Sequence, residues 1–491
     1  MVSSEATPFA KSGGLSDAVS ALSRALARAG HDVRILLPRY YSIDRSSLRK
    51  LKDPIGIPVG STEHWGAVYE SVLPASTVPV YFLDHELFFG RDGIYGTKAE
   101  PDFADNPDRF AFLSRGAFQL CRYLGWIPDI IHTHDWPSSL VAAYLAYFEA
   151  ESEFALTASV LTIHNLGYQG NYPKERFTAL GLPWEAFYGA GIEQYDRINL
   201  LKSGIASADA LTTVSPTYAR EIQTPELGVG LDGLLRHRSA DLVGILNGVD
   251  VDDWDPAKDP LIPAHFSNLD LSGKAECKKA LQAAFGLEAS PAKPLIGMVS
   301  RLTDQKGIGE LFGPLYGAAY RICAEMDLQF VVLGSGERWC EEELRSLASR
   351  LPNFRVRIGY DDKLAHLIEA GSDFFMMPSR YEPCGLNQMY SLRYGTLPIV
   401  RRTGGLADTV ENYNEHAGTG TGFMFDQLTP SSIFDTTGWA VWAYYNRPAH
   451  VEAMRKRAME RVFSWDRSAG EYVKLFERAH EAAARRARRA N

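Results

Sequence analysis

The sequence lacks several features that would place it in a membrane, outside the cell or on nucleic acid. No apolar run approaches the ~20 residues of a membrane helix, and no basic-then-apolar stretch resembles a signal peptide. Its five cysteines are odd in number and lack Cys-x-x-Cys spacing, which favours a reduced, cytoplasmic protein without a zinc cage. Positive charge is also in deficit, since 51 Lys and Arg against 60 Asp and Glu give a net charge of −9. We therefore expect neither a membrane nor a nucleic-acid partner.

What the sequence does contain is typical of an α/β protein of two or three domains. A chain of 491 residues is too long for one ordinary core. Short β-branched runs alternate with helical patterns, and many are apolar on both faces, as in parallel strands covered by helices. The predicted strands are 33–37, 78–83, 129–132, 159–163, 210–214 and 242–246, then 295–299, 329–333, 355–358, 373–377 and 397–400.

A Pro- and Asp-rich stretch at 250–263 separates the two series of strands. We therefore predict two Rossmann-like, doubly wound domains facing across a deep cleft, residues 1–250 and 251–465. The pattern predicts helices at 448–463 and 467–489, and we expect the final segment, 466–491, to pack back on the first domain. The first strand is only a stub before residue 11, shorter than the usual strand of about five residues, so we expect a strand truncated here or a natural start upstream.

Two similar glycine motifs stand in opposite halves of the chain. Each follows basic residues and opens a predicted helix: Lys11-Ser12-Gly13-Gly14-Leu15 and Arg402-Thr403-Gly404-Gly405-Leu406. Paired glycines let backbone N–H groups approach a ligand, and a helix N-terminus favours negative charge. Either loop alone is more often an ordinary turn, but the pair suggests a phosphorylated ligand held between two domains.

Ligands of open α/β sheets bind beyond the carboxyl ends of the strands, so residues following each strand are candidates. In the first half, Asp135 precedes Trp136, a pairing suited to a sugar, although Asp135 also fits a helix cap before Pro137. His164 follows the next strand and is expected at the same sheet edge.

In the second half, Arg301 and Lys306 flank one short loop, as a diphosphate requires. Glu382 stands at a helix start, where a carboxylate can accept sugar hydroxyls. Cys384 is interpreted as a packing residue, since no His lies nearby in sequence to activate it.

These motifs together resemble the family of bacterial glycogen synthases and plant starch synthases. The resemblance spans almost the whole chain and rests on the two glycine motifs, His134-Asp135-Trp136, Thr162-Ile163-His164-Asn165, Arg301-Leu302-x-x-Gln305-Lys306-Gly307 and Glu382-Pro383-Cys384-Gly385-Leu386. It implies a GT-B fold and transfer of glucose, with retention, from ADP-glucose to the 4-hydroxyl of glycogen or another α-1,4-glucan. It implies no metal and no cofactor.

The resemblance also implies roles for individual residues. The catalytic set would be Lys306, Arg301, Glu382, Asp135 and His164. Residues implied for donor contacts are Lys11, Gly13 and Gly14 at the diphosphate, Tyr360 near the adenine, and Cys384, Gly385, Leu386, Thr403, Gly404 and Gly405 around the glucose. Tyr95, Asn106 and Arg109 would belong to the acceptor side, and Asn247 to the segment that ends the first domain. Related transferases often carry Glu-x7-Glu, but here Tyr390 takes the second position.

Four alternatives remain at this point. Residues 132–135 could form a metal-hydrolase strand, and Asp250-x-Asp252 a metal–nucleotide site, although the latter follows an Asn-Gly turn. The chain could be a glucan-binding scaffold without turnover. It could also be a related transferase that uses UDP-glucose or another acceptor. Finally, Asp135 and Glu382 could in principle serve as a two-carboxylate pair, although we favour a front-face route.

Overall fold

The structure is a computed structural model that describes residues 1–189, 191–251 and 253–490. The chain divides into two compact units. Unit 1 comprises Met1–Gly248 together with the chain from Trp465 onward, and unit 2 is Val249–Ser464.

The strands are short, as expected for parallel sheets covered by helices. In chain order they are β1 Ile35–Pro38, β2 Arg49–Lys50, β3 Ile55–Val59, β4 Thr62–Val72, β5 Pro79–Asp84, β6 Ile130–His134, β7 Ala158–Ile163, β8 Asn171–Pro173, β9 Glu193–Gln194, β10 Arg197–Asn199, β11 Ala210–Thr213, β12 Leu242–Gly244, β13 Leu295–Leu302, β14 Gln329–Gly336, β15 Phe354–Ile358, β16 Phe374–Met377, β17 Leu397–Arg401 and β18 Phe423–Phe425.

The helices connect these strands. They are α1 Gly14–Arg28, α2 Glu86–Phe89, α3 Asn106–Leu124, α4 Asp135–Ser138, α5 Leu140–Phe148, α6 Glu185–Gly189, α7 Leu200–Ser207, α8 Pro216–Glu221, α9 Asp232–His237, α10 Ser272–Ala284, α11 Ile308–Phe312, α12 Ala318–Glu325, α13 Arg338–Arg350, α14 Asp362–Gly371, α15 Asn387–Arg393, α16 Gly404–Thr409, α17 Pro430–Asn446, α18 Pro448–Met459 and α19 Trp465–Ala490. Short 3₁₀ helices cover Arg45–Ser47, Lys174–Leu180 and Asp304–Lys306.

The sheet of unit 1 is doubly wound about the start of the chain. Val2 pairs in parallel with Thr133 of β6 on one side and with Leu36 of β1 on the other. Parallel strands continue outward from β6 through β7 and β11 to β12, and from β1 to β5. Strands β4 and β2 then add in antiparallel fashion. The winding direction reverses at Val2, so this point is the topological switch of the sheet.

Unit 2 contains one six-stranded parallel sheet in the order β15-β14-β13-β16-β17-β18. Its central strands are apolar and buried, as in Phe374–Met377, because helices cover both faces, whereas the edge strand β15 carries Arg355 and Arg357. The chain winds one way from β13 to β15 and the other way from β16 to β18. The switch therefore lies between β13 and β16, where ligands of such sheets bind.

Helix α19 belongs to the core of unit 1. Tyr472, Leu475 and Ala479 lie on one face of this helix, at three- and four-residue spacing, and pack against Leu22 of α1 and Val160 of β7. The hydroxyl of Ser468 donates to the Leu246 carbonyl at 2.6 Å.

Several elements escaped the sequence analysis. The antiparallel strands β2–β4, the small sheet β8-β10-β9, strand β18 and helix α17 were not predicted. Strand β4 begins with exposed, polar residues and so lacks the apolar run used to find parallel strands. A search limited to buried parallel strands misses such edge elements.

Candidate active site

The first group of candidate side chains lies at the carboxyl edge of the unit 1 sheet. His164 follows β7, and Asp135 follows β6. Glu5 follows Val2, which pairs with β6 on one side and with β1 on the other. Asn247 follows β12 on the same edge. Parallel strands thus bring these four residues to one edge, with Glu5 at the switch point and the other three on its β6 side.

Asp135 is held in an unusual backbone conformation. Its φ is +55°, in the left-handed region, and its side chain is 8% exposed. The carboxylate Oδ1 accepts the backbone N–H of His164 at 2.7 Å and that of Asn165 at 3.4 Å. Burial raises the pKa of Asp135 from its ordinary 3.8 to about 7, against the lowering effect of these two N–H groups, and the charge of Glu5 raises it further. Non-glycine residues held this way cluster at functional sites.

His164 is one of three linked imidazoles. Its Nε2 lies 3.0 Å from Nδ1 of His134, and Nε2 of His132 lies 2.6 Å from the Thr162 hydroxyl. Desolvation lowers the pKa of all three rings, that of His164 to about 3. The three rings are therefore uncharged near neutral pH and act through hydrogen bonds.

Asn247 presents an unused acceptor. Its side chain is 7% exposed, and among the described residues its Oδ1 has no hydrogen-bond partner. A buried carbonyl oxygen without a partner is costly, so a ligand hydroxyl would be well placed here.

The loop before α1 is open on its outer side. Lys11 pairs with Asp17 at 2.9 Å and is half exposed, and the 15-residue helix α1 begins directly after Gly13. A Cβ added at Gly13 would meet nothing within 4 Å. This half of the glycine pair has room for close approach by an anion at a helix N-terminus.

Tyr95 and Asn106 differ in their surroundings. The Tyr95 ring is partly exposed and lies 5.6 Å from that of Trp136. Asn106 is fully buried, and its amide donates to the Tyr95 carbonyl at 2.9 Å while accepting from Arg109 at 2.6 Å. Arg109 is fully buried as well. Both residues thus form hydrogen bonds that support the Tyr95 loop, and their place on the acceptor side stays a prediction.

The second group lies at the switch point of unit 2. Lys306, after β13, forms an ion pair with Glu382, after β16, with Nζ 2.5 Å from Oε2. The hydroxyl of Ser379 donates to the same oxygen at 2.9 Å. Glu382 is 5% exposed, whereas Arg301 is exposed, and no other described residue pairs with its guanidinium. At this edge of the unit 2 sheet, Lys306 is held by a carboxylate, and Arg301 has no such partner among the described residues.

The second glycine pair, Gly404 and Gly405, differs from the first in what it contacts. The Gly405 N–H donates to the Glu382 carbonyl at 3.0 Å, and Gly404 has a φ of +44°. A Cβ on Gly405 would lie 1.9 Å from the Cys384 carbonyl oxygen. The prediction that both pairs present free amides to an anion is therefore wrong for Gly405, whose amide fixes the loop that carries Glu382.

The remaining candidates of unit 2 surround this loop. Thr403 is buried and precedes α16, Cys384 is 6% exposed, Gly385 has a φ of +71°, and Leu386 precedes α15. Tyr360 follows β15, is 79% exposed, and donates its hydroxyl to Asp362 at 2.8 Å.

Tyr390 stacks on the indole of Trp254, with ring centroids 3.9 Å apart, and Trp254 also stacks on His366 at 3.8 Å. The position that carries a second glutamate in related transferases is thus used here for aromatic packing.

Glu5 is the functional candidate that the sequence analysis missed. Glu5 is 2% exposed and lies at the end of the stub strand, before the Lys11–Gly14 loop that supplied the predicted residues of this region. The sequence signal for Glu5 was a carboxylate placed directly after the first strand. The other candidates also follow directly after strands.

We expect the two glycine pairs to differ in their tolerance of alanine. Gly405→Ala should destabilise unit 2 by about 3 kcal/mol, because its Cβ meets backbone. Gly13→Ala should change stability by less than about 0.5 kcal/mol, because its Cβ enters open space. Thermal unfolding of the two variants measures this, and equal losses of stability would contradict it.

The metal-hydrolase alternative at residues 132–135 is not supported by the arrangement of the side chains. Among the described residues, no group of three or more His, Cys, Asp or Glu side chains is arranged to hold a metal ion. Asp252 lies outside the described residues.

No described helix is long and apolar enough to span a membrane.

The chain has two doubly wound α/β units. Carboxylate, imidazole and amide groups lie at the sheet edge of one unit, and two cations, Arg301 and Lys306, lie at that of the other. This fold and these groups define a glycosyltransferase of the GT-B class. Residues 1–237 match the family model of the starch synthase catalytic domain, and residues 283–436 match that of glycosyl transferases group 1. The chain belongs to the glycogen synthase and starch synthase family.

Similar proteins span the whole chain. A glycogen synthase of Treponema denticola is 58% identical over 98% of both chains. Glycogen synthase 1 of Geobacter metallireducens is 47% identical over 98% of this chain and 95% of its own length. The catalytic domain of starch synthase IV from Arabidopsis thaliana, solved bound to ADP and acarbose, shares the fold with a TM-score of 0.87 and 34% identity over 98% of both chains.

Proposed function

We propose that this glycogen synthase transfers glucose from ADP-glucose to the non-reducing 4-hydroxyl of an α-1,4-glucan such as glycogen, with retention of configuration and release of ADP. The proposal is supported by the glycogen synthases that resemble the chain over its full length and by the starch synthase IV solved with ADP and acarbose. The observation that carries it is the Lys306–Glu382 pair beside the exposed Arg301, since a diphosphate and a sugar need those groups side by side.

Groups of each unit are proposed to recognise the donor. In unit 2, Arg301 and Lys306 would neutralise its two phosphates, and in unit 1, Lys11 and the Gly13–Gly14 amides would serve as diphosphate contacts. Glu382 would accept hydroxyls of the glucose, with Cys384, Gly385, Leu386 and Thr403–Gly405 around it. Tyr360 would lie near the adenine.

The reacting sugar and the acceptor would meet the edge of unit 1. His164, neutral near pH 7, would exchange hydrogen bonds with glucose hydroxyls, and the unused Oδ1 of Asn247 would accept one. Asp135 would face the glucose and the acceptor, with Tyr95 on the acceptor side.

We propose a front-face transfer. The bond between glucose C1 and the diphosphate oxygen breaks, the acceptor O4 bonds to C1 on the same face, and the leaving phosphate takes the O4 proton. Arg301 and Lys306 would stabilise the charge that develops on the diphosphate, which is the kind of effect expected to contribute most. A covalent route through Asp135 or Glu382 would leave a trappable glucosyl-enzyme adduct.

The decisive assay compares radiolabelled ADP-glucose with UDP-glucose, using glycogen as acceptor. We expect transfer from ADP-glucose, undiminished by EDTA, into product that an α-1,4-specific exo-amylase digests. Preference for UDP-glucose would favour the related transferase, loss of activity in EDTA would favour the metal-dependent alternative, and absence of transfer would favour a glucan-binding scaffold.

Gly13→Ala provides a local test of donor binding. Because the added methyl enters the space from which the diphosphate would approach, we expect KM for ADP-glucose to rise about tenfold or more while the fold remains intact. Gly470→Ala, at an exposed position of α19 where a Cβ also meets nothing within 4 Å, is the control for an added methyl at a solvent-facing glycine. An unchanged KM would remove the Gly13 loop from the donor site.

We also propose a cytoplasmic location. The five cysteines are free and buried, which supports a reducing compartment. Cell fractionation tests this proposal.

A further inference from the structure

The carboxylate of Glu5 is fixed in place by its own short segment. Val2 donates its N–H to the His132 carbonyl at 2.8 Å, and Ser3 donates its own to the Leu36 carbonyl at 3.1 Å, which anchors the segment between β6 and β1. The Ser3 hydroxyl accepts the Glu5 N–H at 3.2 Å and donates to the Glu5 carbonyl at 2.8 Å. Glu5 therefore has little freedom of position.

The partners of this carboxylate come from two different parts of the site. Its Oε2 accepts the backbone N–H of Ser12, and its Oε1 accepts the Ser12 hydroxyl at 2.7 Å. The Tyr95 hydroxyl donates to the same Oε1 at 2.6 Å and lies 2.7 Å from the Ser4 hydroxyl. One carboxylate thus joins the Lys11–Gly14 loop to Tyr95.

These bonds are what make the buried charge tolerable. Glu5 is 2% exposed, and among the described residues no Lys, Arg or His forms an ion pair with it. A buried carboxylate without a cation depends on hydrogen-bond donors. Burial and the nearby Glu5 charge hold the pKa of Tyr95 well above 10, so its hydroxyl remains a donor throughout the working range. Movement of either partner would leave the carboxylate undersatisfied.

We propose that Glu5 is a positioning residue that couples the donor loop to the acceptor side, so that a glucan chain bound at Tyr95 tightens nucleotide binding at Lys11–Gly14. The inference rests on the proposed function, which places the acceptor at Tyr95 and the diphosphate at this loop. The carboxylate transmits the effect because Oε1 is shared between Ser12 and Tyr95. By reciprocity, ADP would tighten glucan binding by the same factor.

Isothermal titration of the full chain with ADP, with and without saturating maltohexaose, measures the coupling. In the wild type we expect maltohexaose to lower the Kd of ADP about tenfold. In Glu5→Gln the sugar should change the Kd less than about twofold, because the amide keeps one acceptor oxygen for the three donors that the carboxylate holds, the Ser12 N–H and the Ser12 and Tyr95 hydroxyls. Tyr95→Phe should lose the coupling likewise, and the double variant should lose no more than either single variant.

Matched controls separate positioning from general loss of structure. Glu149→Gln removes a buried carboxylate paired with Arg122, and Tyr144→Phe removes a buried hydroxyl that donates to the Leu180 carbonyl. Both lie in unit 1 outside the site, and both should keep the tenfold coupling. If Glu5→Gln does not fold, Ser12→Ala, which removes one hydroxyl donor to Glu5 and leaves the Ser12 N–H in place, should reduce the coupling on its own.

Two outcomes would overturn the proposal. One is a wild-type Kd for ADP that maltohexaose leaves unchanged, and the other is undiminished coupling in Glu5→Gln. Either result would leave the proposed function standing if ADP-glucose still donates glucose to glycogen. Absence of that transfer in the wild type would instead contradict the function itself.

Discussion

Replacing Lys306 with alanine is expected to lower kcat at least about 100-fold while unit 2 stays folded, because one preorganised cation at a developing charge contributes about 10²–10³. The structure adds a second effect of this substitution. Glu382, 5% exposed, has its carboxylate 2.5 Å from the Lys306 ammonium and would lose its cation. A buried charge left without its partner destabilises the fold. The variant should therefore show a lower thermal midpoint as well as slow turnover.

The two effects can be separated experimentally. Adding Glu382→Gln to Lys306→Ala should restore the thermal midpoint, since the uncompensated charge is gone, but kcat should remain low. Lys293→Ala removes a lysine of the same unit whose partner, Asp327, is largely exposed, and should leave both quantities unchanged. Steady-state kinetics with ADP-glucose and glycogen provide kcat. A Lys306→Ala enzyme within about tenfold of the wild type would remove Lys306 from the reacting centre.

The two strands that flank the switch point of unit 2 were predicted from the sequence because both are buried runs. The predicted strands 295–299 and 373–377 overlap β13, Leu295–Leu302, and β16, Phe374–Met377. Residues that directly follow such strands are readable, because a parallel sheet places all carboxyl ends at one edge. Their partners across the edge are not readable, and the bond between Lys306 and Glu382 spans 76 positions.

Local similarity of sequence proved a poor guide to the environment of a residue. Gly13 and Gly404 are the first glycines of nearly the same motif, yet one faces open space and the other packs against the Glu382 carbonyl. Asn106, predicted on the acceptor side from its motif, is enclosed by Tyr95, Tyr172 and Arg109. Burial depends on what the rest of the chain places around a residue, and a linear motif does not contain that information.

The backbone conformation of Asp135 was also not predictable from its sequence motif. The sequence indicated either a sugar ligand or a helix cap, and the structure shows a carboxylate directed at the N–H groups of His164 and Asn165, with φ at +55°. Those contacts come from the next strand, not from the helix that Asp135 begins. The resulting burial gives this residue a pH dependence that no motif would predict.

Asp135→Asn is expected to remove a large part of the pH dependence of stability in unit 1. Because burial raises the folded-state pKa of Asp135 from 3.8 to about 7, the folded protein holds a proton that the unfolded chain has released across that interval. The contribution of Asp135 to stability is therefore full below about pH 4, falls as pH rises towards 7, and is constant above it. The total change corresponds to about 4 kcal/mol. Asparagine cannot ionise, so the variant should gain on the wild type by about that amount between pH 4 and pH 8.

The substitution suits the site because asparagine also tolerates positive φ, and its Oδ1 can still accept the His164 N–H. Urea unfolding of both proteins at several pH values, followed by amide exchange at peptides of unit 1, measures the difference. Asp32→Asn, at a largely exposed carboxylate of the same unit, should run parallel to the wild type at every pH. Parallel curves for Asp135→Asn and the wild type would show that the Asp135 carboxyl titrates normally in the folded protein. The opposite result, a variant that is more stable than the wild type at pH 8 yet slow in transfer, would show that stability is sacrificed for the reaction at this position.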